Sequence, residues 1–288
     1  MDFTQEQIER YSRQIILPEI GGRGQEQLAR AKAIIIGTGG LGSPCAYYLA
    51  AAGVGTLGLV DSDVVDLSNL QRQILHNTER LGRPKTDSAR ETLVALNPEV
   101  KIVTHQLRVG ADNVMELIRD YDVVVDAVDN FAARFLVNDA CVMAGKPLVE
   151  AGVLRWDGMV MTILPREGPC YRCVFPSPPP PGSVPTCQEA GVIGVVPGVM
   201  GLLQATEVIK LILGKGSLLS GRLLLFDALN SSFREVKVKR NQMCAVCGDH
   251  PSITTLQEYD LACELRGPDG SSGEAGAGGL RSESGGEN

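Results

Sequence analysis

The chain lacks three features that would assign it to large classes of protein. It has no Lys/Arg-rich run and carries a formal net charge of −7 over 288 residues, so we expect no direct nucleic-acid partner. Its longest apolar stretches are interrupted by Gly, Pro or charge, so none is expected to span a bilayer. Residues 1–6 lack the cationic start and apolar run of a secretory signal. These absences predict a cytoplasmic protein with no membrane partner.

Histidine is also scarce. The three histidines, His76, His105 and His250, are scattered along the chain without the spacing of a metal site or a catalytic base. We therefore expect each to be structural. No Ser–His–Asp set is evident, so catalysis through such a set is not predicted.

Two Cys-x-x-Cys pairs stand out among the eight cysteines. The pairs lie far apart in sequence, and in a cytoplasmic chain they indicate metal or thiol chemistry rather than disulfides. Four thiolates suit one tetrahedral zinc ion, and a redox dithiol is the alternative for a single pair. The predicted ligands of a structural zinc site are Cys170, Cys173, Cys244 and Cys247. We expect Cys45, Cys141 and Cys263, which have apolar neighbours, to be buried.

Short apolar runs alternate with helical segments through the first half of the chain. This alternation predicts an α/β fold with a doubly wound, largely parallel Rossmann-like sheet and extra C-terminal strands. Strands are predicted at residues 33–36, 56–61, 100–105, 121–126, 148–151, 159–163, 223–226 and 233–238. Helices are predicted within 2–30, with a break at 21–24, and at 47–52, 86–96, 112–119, 131–144 and 199–213.

A glycine-rich turn between a predicted strand and a predicted helix matches G-x-G-x-x-G. Such glycines let the backbone approach phosphate oxygens, and the helix N-terminus offers unpaired N–H groups. The glycines are Gly37, Gly39, Gly40 and Gly42. Asp61 ends the next predicted strand, close to the interval expected for an acid that binds ribose hydroxyls. A tight strand-to-helix turn without a ligand is the alternative, but it does not explain the combination with Asp61.

The polar run after Asp61 favours a triphosphate as ligand. Arg and Lys side chains can hold phosphate charge and stabilise it in a transition state. The residues of the run that we assign to the nucleotide site are Asp63, Asn69, Arg72 and Gln73, followed by Lys85. A solvated loop with surface charges is the alternative interpretation.

A second acidic segment ends the Val-rich strand. Ligands of open α/β sheets bind at the carboxyl ends of strands, where a carboxylate can hold Mg²⁺ that bridges phosphates. We assign this role to Asp129 rather than Asp126, with Asn130 beside it in the nucleotide site. Asp129 could equally cap the helix that starts near Phe131.

Six segments together resemble the ThiF/MoeB-type adenylyltransferases, relatives of the ubiquitin-activating enzymes. The resemblance covers roughly residues 3–265. The segments are Arg10-Tyr11-Ser12-Arg13-Gln14, the glycine-rich turn, the run from Asp61 to Gln73, Asp129-Asn130, Cys170-Tyr171-Arg172-Cys173 and Cys244-Ala245-Val246-Cys247-Gly248.

The resemblance implies an activity, partners and roles for particular residues. Such enzymes use Mg-ATP to adenylate the C-terminal glycine of a small ubiquitin-like sulfur carrier ending in Gly-Gly, which then becomes a thiocarboxylate. The resemblance implies that Asp61 holds the ribose and that Asp129 binds Mg²⁺. Asn69, Arg72 and Lys85 would contact phosphates. The family is homodimeric, and Arg13 would reach the ATP of the partner subunit.

The resemblance also divides the chain into functional segments. Residues 1–30 would be a helical segment for dimer and ATP contacts, and residues 31–265 the adenylation domain. Residues 266–288, rich in Gly and Ser, read as a disordered tail. No rhodanese-like extension is expected, so sulfur would come from a separate donor such as a cysteine desulfurase or a rhodanese.

Cys187 lies at the end of a Pro-rich segment, residues 176–187. A thiol on an exposed loop could attack the acyl-adenylate or form a persulfide conjugate. The alternative is a loop thiol without an essential task. Two other function classes remain open, a nicotinamide-dependent oxidoreductase and a non-catalytic nucleotide-binding scaffold.

Overall fold

Eight strands form one mixed sheet in the part of the chain that this computed structural model describes, residues 3–180 and 190–258. The strands are β1 Lys32–Ile36, β2 Thr56–Val60, β3 Lys101–His105, β4 Val123–Asp126, β5 Leu148–Leu154, β6 Asp157–Ile163, β7 Arg222–Asp227 and β8 Ser232–Lys237. The helices are α1 Gln5–Ile15, α2 Gly21–Arg30, α3 Gly42–Ala51, α4 Lys85–Leu96, α5 Val114–Arg119, α6 Phe131–Ala144, α7 Tyr171–Val174 and α8 Val195–Leu213.

The strand order confirms the predicted fold class. The sheet runs β3-β2-β1-β4-β5-β6-β7-β8. The pairs from β3 to β5 are parallel and those from β5 to β8 are antiparallel. Parallel strands need crossover helices that cover the sheet, which is why β1 is continuously apolar after Lys32 and β4 before Asp126.

Helices cover both faces of the sheet with separate apolar clusters. One cluster packs α3, α4 and α8 against the sheet, with Leu49, Leu93 and Val208 fully buried. The other packs α5 and α6 on the opposite face, with Ile118 and Phe135 fully buried. Because both faces are covered, the sheet is the middle layer of a three-layer core.

The N-terminal helices differ from the prediction at one point. Thr4 and Gln7 form a capping box at the start of α1, which confirms the predicted helix start. Gly21 does not break a helix; together with Gly24 it lies inside α2, and the break falls at residues 16–20. Gly24 is needed there because a Cβ would lie 3.1 Å from side-chain atoms of Ile20 and Leu213.

Helix α8 is long and apolar enough, by length and composition, to cross a membrane. Length and composition alone do not show that it does so, because a buried core helix passes the same test. In the structure, however, α8 packs against the sheet, and Met200 and Val208 are fully buried. Its polar residues Gln204 and Glu207 are buried as well, with hydrogen bonds to β4, β5 and β6. These contacts are those of a core helix.

The strand order changes direction between β1 and β4. The connection after β1 runs toward one edge of the sheet, and the connection after β4 runs toward the other edge. This divergence opens a crevice at the carboxyl ends of the two strands. The glycine-rich turn follows β1, and residues 127–130 follow β4. The fold therefore brings the two predicted phosphate-site segments side by side.

Candidate functional site

The glycine-rich turn is a tight loop between β1 and α3. Gly37 has φ +98°, and a Cβ there would lie 2.6 Å from the carbonyl oxygen of Ala127. A Cβ on Gly42 would lie 1.9 Å from the carbonyl oxygen of Gly37. Both positions therefore require glycine. We call residues 37–42 the phosphate loop.

Asp61 is bound directly to the phosphate loop. Its Oδ2 accepts hydrogen bonds from Thr38 N at 2.8 Å and from Thr38 Oγ1 at 2.9 Å. Its Oδ1 accepts from Asp63 N at 2.9 Å. Oδ1, which accepts only this one hydrogen bond, has a further lone pair, so Asp61 can still accept from a sugar hydroxyl.

Lys85 is buried, although it was predicted as a phosphate contact. It begins α4, and its Nζ lies 2.8 Å from Asp63 Oδ2. The lysine side chain is 6% exposed and the aspartate side chain 66% exposed. The pair therefore places a positive charge just beneath the surface beside Asp61, with Asp63 as its present partner.

The remaining polar residues of the run line the other side of the phosphate loop. Arg72 Nη1 donates to Ser68 O at 3.1 Å, and its Cγ would lie 3.4 Å from a Cβ on Gly40. Gln73 is buried beside Gly39, and its Oε1 has no hydrogen-bond partner within the described residues. Such an atom is available to a ligand or to water.

Asn69 lies in the turn that precedes Arg72 and Gln73. Its backbone carbonyl accepts from Arg72 N and Gln73 N, and its side chain donates to Ser68 Oγ at 3.3 Å. It thus shapes the turn that carries Arg72 and Gln73. Its half-buried side chain remains at the surface of this turn.

His76 supports the phosphate loop, a role that its spacing in the sequence does not reveal. Its Nε2 lies 3.1 Å from Thr38 O and its Nδ1 lies 3.0 Å from Ser88 Oγ, on α4. Burial lowers the pKa of His76, and this effect outweighs the hydrogen bond with Thr38. The histidine is therefore neutral at pH 7 and joins the loop to α4.

Asp126 and Asp129 have opposite environments at the end of β4. Asp126 is fully buried, whereas Asp129 is exposed. Asn130, not Asp129, caps α6, since its side-chain oxygen accepts from Ala133 N at 2.9 Å. Asp129 is thus free of the capping role that the sequence left open, and an exposed carboxylate next to the phosphate loop suits a magnesium ion.

Helix α8 closes one side of the site. A Cβ on Gly40 would lie 3.1 Å from Pro197 Cβ, in the first turn of α8. A Cβ on Gly201 would lie 2.3 Å from Leu41 O. The phosphate loop is therefore held between its own strand and a helix from the second half of the chain.

The four cysteines of the two pairs meet in one cluster. Their sulfur atoms all lie within 4.8 Å of one another, with 3.6 Å between Cys170 and Cys244 and 3.3 Å between Cys173 and Cys247. A tetrahedron of sulfurs about 2.3 Å from zinc has edges of similar length. The cluster fits a zinc ion.

Helix α6 anchors the first cysteine pair. Arg172, between the two cysteines, is buried and its Nε and Nη2 each lie 2.8 Å from a different carboxylate oxygen of Asp139. The neighbouring Tyr171 N donates to Asn138 Oδ1 at 2.9 Å. Because Asn130 begins the same helix, one rigid element connects the cysteine cluster with the Asp129 segment.

Two predicted residues have no described contact with the phosphate loop, Arg13 on α1 and Cys187, whose position the structure does not describe. Arg13 is exposed near the end of α1, and within the described ranges it forms no hydrogen bond or ion pair with the phosphate loop. Cys187 lies outside the described residues, as do Cys263 and the tail at residues 266–288. Cys45 and Cys141 are fully buried, as predicted.

Comparison with known proteins gives matches over most of the chain. The chain is 51% identical over 271 residues to the sulfur carrier protein adenylyltransferase of Thermus thermophilus, covering 92% of this chain and 100% of that protein. It is 49% identical over 264 residues to the adenylyltransferase and sulfurtransferase MOCS3 of Culex quinquefasciatus, covering 91% of this chain. It spans only 60% of the length of that relative.

Solved structures of E. coli MccB share the fold. The complex of MccB with ATP matches 83% of this chain and 74% of its own, with TM-score 0.69 and 25% identity. The complex with MccA-N7isoASN has TM-score 0.72 at 25% identity, covering 83% of this chain and 75% of that chain.

The family assignment follows from the extent of these matches. The ThiF family pattern matches residues 11–246, a range that contains the phosphate loop, Asp61, Asp129 and three of the four clustered cysteines, and that ends one residue before Cys247. On this evidence the chain belongs to the ThiF family.

Proposed function

We propose that this protein uses Mg-ATP to adenylate the C-terminal glycine carboxylate of a small ubiquitin-like sulfur-carrier protein, releasing pyrophosphate. The observation that carries the proposal is the joined arrangement of the phosphate loop, Asp61 and Arg72 at the crevice of the sheet. The full-length similarity to a protein named sulfur carrier protein adenylyltransferase supports it. The same similarity favours adenylyl transfer over a nicotinamide-dependent oxidoreductase.

The proposed roles follow from the chemistry of the site. A glycine carboxylate is already a nucleophile, so the protein has to bring two anions together and stabilise charge at the α-phosphate and on the leaving pyrophosphate. Backbone N–H groups at the start of α3 and the guanidinium of Arg72 supply positive charge and donors. Asp61 would bind the ribose, and Gln73 Oε1 is a buried acceptor beside the loop.

Lys85 would change partners when nucleotide binds. In the absence of ligand its ammonium is paired with Asp63, and a phosphate oxygen would compete for it. Asp129 would hold Mg²⁺, which when bound supplies a charge that offsets the phosphate oxygens. Asp63 would therefore hold the Lys85 ammonium in place until a phosphate oxygen becomes its partner.

The cysteine cluster is proposed as a structural zinc site. Cys170, Cys173, Cys244 and Cys247 would hold the ion with no open position, so it would supply stability rather than catalysis. Gly248 allows the turn after the second pair, since a Cβ there would lie 2.4 Å from Cys244 O.

Partners beyond the carrier remain proposals. We infer a homodimer in which Arg13 contacts the ATP of the other subunit; its exposure at the end of α1 is compatible with this. We also propose a cytoplasmic location, a separate sulfur donor, either a cysteine desulfurase or a rhodanese, and no nucleic-acid partner. Cys187 is proposed to act after adenylation, as a thiol that accepts the activated carrier.

Two reactions test the proposal. The protein is incubated with Mg-ATP and each candidate carrier ending in Gly-Gly, and mass spectrometry detects the carrier adenylate; ATP–pyrophosphate exchange measures the first step separately. Exchange that requires the carrier's terminal glycine, and that survives Cys187→Ser, is the expected result. Absence of exchange with every carrier, with ATP still bound, would instead favour a nucleotide-binding scaffold.

A further inference from the structure

Three buried charged side chains meet behind the loop that carries Asp129. Asp126 ends β4, and Glu150 lies opposite it in the parallel register of β5. They are 0% and 1% exposed. Arg134, on α6, places its Nε 2.8 Å from Glu150 Oε1.

The charges of this group do not balance without a proton. Two ionised carboxylates and one guanidinium would leave one negative charge fully buried, which costs several kcal/mol. The titratable side chains that also face the pair are Cys141 of α6 and Tyr171 of α7, and burial raises the pKa of each, that of Tyr171 to about 12. Both therefore stay neutral at pH 7 and cannot offset the charge.

Among the residues that the structure describes, the other elements beside the pair present no titratable group to it. Beside Asp126, β1 places Ile36; beside Glu150, β6 places Met161. Gln204 of α8 donates to Asp126 O at 2.6 Å. Within the described part of the chain, no neighbour of the pair therefore changes its charge near pH 7.

Unpartnered atoms mark the place of the proton. Asp126 Oδ1 accepts from Val128 N at 3.0 Å, but Asp126 Oδ2 has no donor among the described residues. Glu150 likewise accepts no hydrogen bond of good geometry there, despite its contact with Arg134. A proton on one carboxyl would supply a donor to the other. Burial, together with the neighbouring Asp126, raises the pKa of Glu150 well above its usual range.

The same group holds the loop that follows β4. Arg134 Nη2 donates to Val128 O and to Ala151 O, each at 3.1 Å. Asp126 accepts from the N–H of the same Val128. The N–H and the C=O of Val128, the residue before Asp129, are therefore both held by these buried side chains.

We propose that Asp126, Glu150 and Arg134 form a buried, electrically neutral group that shares one proton and positions residues 127–130 beside the phosphate loop. The three are positioning residues, since they act on Asp129 through the backbone of Val128. The shared proton is independent of what the protein binds, whereas the effect on Mg-ATP rests on the proposed function.

The shared proton has a measurable consequence for stability. Above about pH 5 the unfolded chain has both carboxylates ionised, whereas the folded chain keeps one proton on the pair. Folding then takes up a proton, so stability declines as pH rises, until the pair ionises in the folded state. The unfolding equilibrium constant should rise about tenfold per pH unit from this group alone.

The first experiment compares urea unfolding of the full chain between pH 6 and 9. Glu150→Gln imitates the protonated carboxyl and retains a donor toward Asp126. Its unfolding equilibrium constant should therefore lack the rise of about tenfold per pH unit that the shared proton causes in the wild type. Asp126→Asn leaves one carboxylate to pair with Arg134, and it should reduce the pH dependence of the unfolding equilibrium constant by the same amount. The control is Glu207→Gln, at a buried carboxylate that pairs with Lys210, and it should keep the wild-type slope. Equal slopes in wild type and either test variant would overturn the shared proton.

The second experiment measures KM for Mg-ATP and kcat in pyrophosphate exchange. Glu150→Leu removes the carboxylate that contacts Arg134 Nε and should raise KM about tenfold or more, because the buried guanidinium then shifts toward another partner. Glu150→Gln should return KM to within about twofold of wild type, since Gln can accept from Arg134. A Gln variant as impaired as the Leu variant would contradict the positioning role. If wild type shows no exchange, the proposed function fails, and the unfolding slopes still decide the shared proton.

Discussion

Two glycines on one helix should respond in opposite ways to the same substitution. Gly198 and Gly201 lie three residues apart in α8. A Cβ on Gly198 would meet no atom within 4 Å, whereas a Cβ on Gly201 would lie 2.3 Å from Leu41 O and 2.6 Å from Pro44 Cγ. The pair separates the intrinsic helix preference from tertiary packing.

The expected magnitudes follow from these contacts. Gly198→Ala should raise the free energy of unfolding by about 0.5–1 kcal/mol, because alanine loses less backbone entropy in a helix. Gly201→Ala gains the same preference but places a methyl group about 1 Å inside the 3.4 Å at which ordinary contact begins. Since Leu41 O is backbone, α8 has to move, and we expect a net loss of about 2 kcal/mol.

The same displacement of α8 should weaken nucleotide binding. Leu41 belongs to the phosphate loop, so movement of α8 at Gly201 disturbs the donors at the start of α3. Gly201→Ala should therefore raise KM for Mg-ATP in pyrophosphate exchange, while Gly198→Ala leaves it unchanged. The assays are urea unfolding at pH 7.5 and exchange kinetics on the same preparations. A Gly201→Ala variant as stable as Gly198→Ala would refute the close packing of α8 on the phosphate loop.

Three further predictions address charge, metal and pH. Arg72→Ala should lower the rate of ATP–pyrophosphate exchange about a hundredfold through lost phosphate stabilisation, while Arg90→Ala, at an exposed pair on α4, leaves the rate intact; equal rates would remove Arg72 from the site. Cys247→Ser should reduce bound zinc, measured by mass spectrometry of metals, and lower the urea midpoint, whereas Met243→Ala, at a side chain that is 89% exposed, keeps both; full zinc content in the serine variant would exclude the four-cysteine site. Because burial lowers the pKa of His76, its stabilising effect is present above the unfolded pKa of about 6.5 and is lost as pH falls through the folded value. His76→Gln should therefore lose less stability than wild type between pH 7.5 and 5.5, and a parallel decline of the two urea midpoints would contradict this.

Comparison of the two cysteine pairs with the buried charged group shows how far local patterns reach. Each Cys-x-x-Cys pair is visible within four residues, and four thiols suit one metal, so their meeting could be predicted. Asp126, Glu150 and Arg134 have no such motif. Glu150 faces Asp126 only because β4 and β5 pair in one particular parallel register, and a shift by one residue would send its side chain to the other face.

Tertiary contacts also decide three features that local patterns leave open. Gly21 and Gly24 read as a helix break, but Gly24 permits close contact of α2 with α8. Lys85 is buried and paired with Asp63, and no local pattern in the sequence shows this contact. Helix α8 passes a length and composition test for membrane spans, and only its packing against α3 and the sheet identifies it as a core helix.

The sequence by itself determined the fold class, the order of the main elements, the phosphate loop, Asp61 and the cysteine pairs. These depend on periodicity and on residues close together in the chain, where backbone preference and side-chain type act locally. The tertiary structure alone decided that His76 supports the phosphate loop and that Glu150 faces Asp126. Such contacts join segments far apart in sequence, and their geometry is set by strand register and helix packing rather than by any local preference.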